Sequence, residues 1–405
     1  RGYSYSYGTG AAGAGGGNIY LYTNGNLSIS GNISADGQAG AKYSGGGSGG
    51  SIYLHGANVS ISSIISASGA VGGTSAGAGS SGRILIEHTG TYTNTGSISI
   101  SAGSGNGTAY VADLTNNDIT IPVNNATWYS SYLDSWSFRN LYVNGNVTFK
   151  PSTTTLFTIT LSNDLILGSN TTISSAGYYS TDTDGVGIYY NIGRNLTIPS
   201  TSKINGDGLG YAGGSSPSVY NGRGDGKGLG VSIHNYGNVT GSGGGHGGAG
   251  GSGGAGAGGA AYDSIGIPMK LGSGGGFGNS YNNPDGLGGA GGSAIKLNVE
   301  GTALIDGILS ANGAASTAIG GAGAGGIYLI TNILSGAGTI SATGGSAIST
   351  AYGTGGAGGG GRISIAANSS TWAGSSLLAS VATAKGTTGN LAYDGTVYIV
   401  PVFSD

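Results

Sequence analysis

The sequence predicts an all-β chain, a right-handed parallel β-helix (a β-solenoid) with long glycine-rich returns. Three observations predict it. A Ser-Ala phrase recurs: Ser34-Ala35-Asp36-Gly37, Ser66-Ala67-Ser68-Gly69, Ser101-Ala102-Gly103, Ser175-Ala176-Gly177, Ser310-Ala311-Asn312-Gly313 and Ser341-Ala342-Thr343-Gly344, with adjacent copies 32, 35 and 31 residues apart. Repetition at that period marks stacked structural units. An alternating apolar phrase precedes the Ser-Ala phrase at a nearly constant offset: from Ile19, Ile52, Ile84, Ile295 and Ile327 the distances are 15, 14, 17, 15 and 14 residues. Finally, glycine supplies 92 of 405 residues, far above ordinary usage.

One unit is legible in full from Ser51. Ser51 to His55 alternates apolar and polar residues and reads as a strand. Gly56-Ala57 turns the chain. Asn58 to Ser62 alternates again, and Ile64 to Ala67 makes a third short strand ended by Gly69. Ile52, Leu54, Val59 and Ile61 are expected to face inward and to stack on their counterparts one rung away, at a spacing of about 4.8 Å. Tyr20, Tyr53 and Tyr328 fall between two inward positions and are expected to face outward as an aromatic stripe.

The returns are almost entirely Gly, Ala and Ser. Residues 241–260 hold 13 Gly in 20, and Gly244 to Ala255 repeats every three residues. Three residues per turn is the polyproline II period, so these runs are expected to pack side by side in a polyglycine-II-like form. Gly107-Thr108-Ala109-Tyr110-Val111 resembles Gly395-Thr396-Val397-Tyr398-Ile399, which suggests a larger partial repeat. Two β-helical domains are expected, 1–115 and a longer 116–405. The stretch from Asn117 to Lys150 departs from the glycine-rich style. Its Trp128, Tyr132 and Trp136 are four apart, which suits a short helix, whereas Trp136 and Phe138 suit a strand.

Lys and Arg number 13 against 16 Asp and Glu, a net charge of −3, and no basic stripe exists for a nucleic-acid partner. No run of about 18 apolar residues suggests a membrane span. Cys is absent, which removes disulfides and Cys-ligated metals. The chain opens at Arg1 rather than Met, which fits a mature product with its targeting segment removed and fits a fragment of a longer chain equally well. His55, His88, His234 and His246 show no ligand spacing, so no metal and no cofactor is expected. Asp207-Gly208, Asp225-Gly226 and Asp285-Gly286 read as turns rather than a tandem calcium pattern. Arg223-Gly224-Asp225 is an adhesion-type tripeptide that a glycine-rich chain produces by accident. Acid–base catalysis needs two carboxylates held together. No such pair recurs at the unit spacing, and Asp182 with Asp184 sits in a polar turn, so the chain is not expected to be an enzyme.

Ten Asn-x-Ser/Thr sequons occur, at Asn26, Asn32, Asn58, Asn106, Asn125, Asn146, Asn170, Asn195, Asn238 and Asn368. They are candidates for N-glycosylation. The same asparagines also suit ladders between rungs or Asn-Gly turns. Tyr3, Tyr5 and Tyr7 near one end, and Val397, Tyr398 and Ile399 near the other, alternate like strands without a cap. Uncapped strand ends invite another copy, and an end-to-opposite-end contact yields a filament.

Gly82-Arg83-Ile84-Leu85-Ile86 and Gly361-Arg362-Ile363-Ser364-Ile365, with the Ser-Ala phrase, resemble glycine-rich surface proteins of archaea and bacteria whose fold is pectin-lyase-like. The resemblance covers more than half of the chain, and Asn117 to Tyr190 fits it least. It implies a secreted structural role and carries over no catalytic residue. The expectation is an extracellular filament or cell-surface sheath subunit whose partners are copies of itself (a homopolymer) and attached or bound glycans. A glycan-binding adhesin is the alternative, and a polysaccharide-cleaving enzyme ranks below it.

Overall fold

A computed structural model describes residues 10–101, 107–123, 126–133, 136–216, 219–230, 240–254, 256–278, 286–316, 322–350, 353–372, 381–382 and 384–401. The described chain is nearly all β: its helical content is one 3₁₀ turn, Ser130–Tyr132. It forms two compact units, Arg1–Trp128 with Phe138–Thr148, and Tyr129–Ser137 with Phe149–Asp405.

In the first unit the repeat read from Ser51 folds as three strands, Ser51–Gly56, Asn58–Ile61 and Ile64–Ser66. Each pairs in parallel with its counterparts one repeat away. The alternation decides which side chains stack. Ile19, Ile52, Ile84 and Ala109 form one apolar ladder, and Leu21, Leu54, Ile86 and Val111 another. Ile52, Leu54, Val59 and Ile61 are all buried, as their parity requires.

After Thr108–Asp113 the direction reverses. Asp113 Oδ1 accepts the N–H groups of Thr115 and Asn116, both at 3.0 Å, and Asn117 takes a left-handed φ of 56°. Asp118–Ile121 therefore returns antiparallel beside Thr108–Asp113 and then pairs in parallel with Asn140–Val143. The domain boundary read between 115 and 116 lies in this hairpin. The aromatic spacing of Trp128, Tyr132 and Trp136 makes no α-helix. Ala126–Tyr129 is a strand, the 3₁₀ turn follows it, and Ser137–Phe138 is again extended. Trp136 Nε1–H closes the turn on the Ser130 carbonyl at 3.1 Å, while its ring packs edge-on against Phe157.

The second unit carries the longer ladders. Phe157, Ile188, Ile295, Ile327, Ile363 and Val397 stack in one; Ile159, Tyr190, Leu297, Leu329, Ile365 and Ile399 stack in the next. In the later repeats the first two strands merge, giving Ala294–Ile305, Gly326–Gly336 and Arg362–Trp372. An irregularity between Val299 and Thr302 absorbs the turn that Gly56-Ala57 makes in the first unit.

In the described parts of the glycine returns, hydrogen bonds repeat every third residue. Gly272, Gly275 and Gly278 donate to Gly292, Gly289 and Gly286. Ser273 and Gly276 donate to Gly245 and Ser242; Gly274 and Phe277 donate to Arg223 and Tyr220. The same segment accepts from Tyr211 and Gly214, from Gly228 and from Gly323. An extended chain with three residues per turn has no internal hydrogen bonds and points successive N–H groups a third of a turn apart. Each segment can therefore engage neighbours on all sides. The first unit repeats the scheme: Gly46 and Gly49 donate to Gly77 and Ser80, while Gly47 and Gly50 donate to Gln38 and Ala35.

Such close approach excludes side chains. A Cβ at Gly274 would stand 2.0 Å from the Ala212 carbonyl oxygen, whereas one at Gly17 would meet nothing within 4 Å. Gly274→Ala is expected to destabilise the protein by roughly 1–3 kcal/mol or more, the range of overpacked interiors. In the unassembled chain Gly17→Ala is expected to be neutral or slightly stabilising, because alanine narrows the unfolded ensemble. Denaturant unfolding of both variants measures the difference.

Candidate assembly site

The rung Asn18–Tyr22 pairs with Ser51–Gly56 along one edge. Its apolar positions continue the two ladders, yet they are open. Leu21 is 37% exposed where Leu54, its partner in the next rung, is 0% exposed. Ile19 is likewise only half-buried against a buried Ile52. The outward positions carry aromatic rings. Tyr20 and Tyr22, 68% and 54% exposed, lie side by side with centroids 6.5 Å apart and planes within 7°. Each covers a ring of the next rung: Tyr20 stacks on Tyr53 at 4.7 Å and Tyr22 on His55 at 4.4 Å.

Glu87 fixes this array from below. Its Oε2 accepts the Tyr53 hydroxyl proton at 2.5 Å and lies 3.3 Å from His55 Nδ1. Burial, then the hydrogen bond and charge of Glu87, hold the Tyr53 phenol well above its ordinary value, so Tyr53 stays a donor. The result is a flat, preordered pair of rings at the end of a ladder.

The rung Thr396–Pro401 pairs with Arg362–Trp372. Val397 and Ile399 sit over Ile363 and Ile365, and Tyr398 over Ser364. Val397 and Ile399 are half-buried where the residues beneath them are fully buried, and Tyr398 is 45% exposed. A cavity of about 330 Å³ opens beside Ile399 and Val400, lined also by Ile365 and Ala367. Pro401 closes the strand; it has no N–H to leave unpaired at an edge. Tyr3, Tyr5 and Tyr7 lie outside the described residues. Alternation alone singled out Val397, Tyr398 and Ile399. It missed Tyr22, His55 and Glu87, although the repeat aligns the first two one rung apart.

Of the sequons, Asn106, Asn125 and Asn238 also lie outside the described residues. Asn26, Asn32, Asn58, Asn146, Asn170 and Asn368 are exposed and Asn195 is half-buried. Several serve as rungs of polar ladders. Asn58 Nδ2 donates to Asn26 Oδ1 at 2.9 Å, and Asn58 Oδ1 accepts from Thr91 N–H at 2.8 Å. Asn32 Oδ1 accepts from Ile64 N–H at 3.1 Å. Asn195 Nδ2 donates to Asp164 at 3.2 Å, and Asn368 Nδ2 to Asn332 at 2.9 Å.

Charged residues gather elsewhere in the second unit, around a cavity of about 570 Å³ lined by Asp182, Tyr220, Arg223 and Lys227. Asp182 meets Lys227 at 2.5 Å and Arg223 at 3.7 Å, and Asp225 pairs with Lys270. Both charged ends of Arg223-Gly224-Asp225 are thus engaged within the chain. His246 is buried against Asp263, 3.2 Å from Nε2 to Oδ2. Among the described residues no three His, Asp or Glu side chains gather as metal ligands, and no helix is long and apolar enough to cross a membrane.

Asp184 works as a turn lock. It accepts the Ser180 hydroxyl proton and the N–H groups of Ser180 and Thr181 at 2.9 and 2.8 Å. These bonds, the Ser180 hydroxyl foremost, favour the carboxylate and lower it from 3.8 to about 2. A depressed folded pKa stabilises the fold above the unfolded value, and that stabilisation is lost as pH falls through about 2. Melting from pH 5 to pH 2 should therefore show a decline that Asp184→Asn reduces, and carboxyl NMR of Asp184 should titrate near the lower limit.

Comparison with protein-family models, with curated proteins and with solved structures finds no match to this chain.

Proposed function

We propose that this chain is a structural subunit of an extracellular filament or cell-surface sheath. Its rungs wind as a right-handed parallel β-helix with polyglycine-II-like returns, and copies join end to end. One observation carries the reading: the rung Asn18–Tyr22 exposes ladder side chains whose counterparts one rung on are buried. An exposed strand edge with apolar residues is a template for another strand. The low charge of the chain leaves association to backbone pairing and apolar contact, which salt screens little.

Leu21→Lys places a charge in the ladder and is expected to abolish polymers while leaving the β circular dichroism signal unchanged. Electron microscopy and sedimentation of the two proteins at matched concentration read the outcome. Strictly monomeric wild-type particles at high concentration would overturn the proposal.

Attached glycans form part of the same reading. Asn58, Asn195 and Asn368 already commit their amide nitrogens to ladder bonds. Glycopeptide mass spectrometry is expected to find lower occupancy there than at Asn32 and Asn170.

A second reading, a glycan-binding adhesin, draws on the coplanar Tyr20 and Tyr22 rings, since flat exposed aromatic pairs stack on sugar faces. Saturable glycan binding without polymer, lost in Tyr20→Ala, would favour it over the filament.

A further inference from the structure

We infer that the subunit contact is a rung-on-rung addition in one register, with Asn18–Tyr22 of one copy laid on Thr396–Pro401 of another and Tyr20 seated on Tyr398. This rests on the end-to-end reading and gives its geometry.

The protein's own rungs supply the template. The first residue of a rung donates its N–H to the carbonyl just ahead of the previous rung: Ser51 to Gly17, Arg83 to Gly50, Thr108 to Gly82, Gly326 to Ser293, Arg362 to Gly325 and Thr396 to Gly361, at 2.9–3.2 Å. Parallel pairing alternates direction along the strand, so residues of one parity face one neighbour and those of the other parity face the opposite neighbour. In Asn18–Tyr22, Thr23 N–H donates toward the following rung, to His55 O at 3.1 Å. By parity Asn18, Tyr20 and Tyr22 present their N–H and C=O groups to the edge that no described strand pairs. In Thr396–Pro401, Thr396 donates toward the preceding rung, so Val397 and Ile399 face the other way.

The two edges are complementary in polarity, since one is the leading edge of its stack and the other the trailing edge. Applying the internal step to them sends Asn18 N–H to Gly395 O of the second copy. Glycine stands at that place in Gly17, Gly50, Gly82, Gly325 and Gly361 as well.

Side chains match in the same register. Ile19 meets Val397, Leu21 meets Ile399, and both apolar ladders continue without a break. Tyr20 meets Tyr398, repeating the stack that Tyr20 makes on Tyr53. Tyr22 meets Val400. No charged side chain lies on either rung, so no like-charge repulsion arises between them. A shift by one residue would put Tyr398 into the apolar ladder and Val397 out of it. The contact joins two different surfaces of the same chain, and such heterologous contacts propagate when the rotation does not close.

The absence of cysteine gives a clean background for crosslinking. Tyr20→Cys chains are mixed with Tyr398→Cys chains, assembled and oxidised. Paired residues on adjacent parallel rungs lie close enough for a disulfide, whereas a two-residue offset puts the Cα atoms about 8 Å apart, beyond bridging. Covalent dimer is expected from this mixture and its loss from Tyr20→Cys mixed with Val400→Cys. Circular dichroism and micrographs of each variant report folding and polymer. Polymer with no dimer in the first mixture, or with dimer from the offset one, overturns the register and leaves the filament reading in place. No polymer from the wild-type chain overturns the filament reading itself.

Discussion

Backbone meeting backbone without side chains between is the constraint on which the rest of this protein depends. The returns hold their segments so close that Gly47, for example, has no room for a Cβ, which would lie 1.9 Å from the Ala14 carbonyl oxygen. Glycine is entropically costly to order. That cost is offset where the ordered peptide groups gain partners: in residues 272–278 the N–H groups go in turn to three neighbouring segments. The same packing fixes where each apolar strand begins, since the return ends one residue before the rung. The lattice and the ladders therefore set one another's register.

Much of this was legible in the sequence. The unit starting at Ser51 folds nearly as its alternation indicates, because period-two parity with one buried face admits one solution. The three-residue period of the returns was likewise readable. Their partners were not, since Gly274 bonds to Arg223 and Gly276 to Ser242 across loops that no local pattern encodes. The reversal at Asp113–Asp118 was missed for a different reason. Its two strands look like any other rungs, and the change of direction lies in a four-residue turn held by one carboxylate.

Less of the candidate assembly site was legible. Alternation picked out Tyr398 and its neighbours but carries no information about exposure. The Glu87 carboxylate that orients Tyr53 and His55 comes from a third rung, directly opposite His55 and diagonal to Tyr53. Polar ladders such as Asn26–Asn58 explain why asparagine recurs at matching positions: each side-chain amide satisfies groups one rung away, which a glycosylation motif count cannot distinguish from an acceptor site.

The glycine lattice also shapes how the protein responds to temperature. Unfolding it hydrates peptide groups far more than hydrocarbon, and polar hydration lowers the heat-capacity increment that apolar hydration raises. The free-energy dome of this chain is therefore expected to be broader and flatter than that of an ordinary protein of its length. A flatter dome loses less stability on cooling from its maximum, and for a given height it reaches zero at a higher temperature.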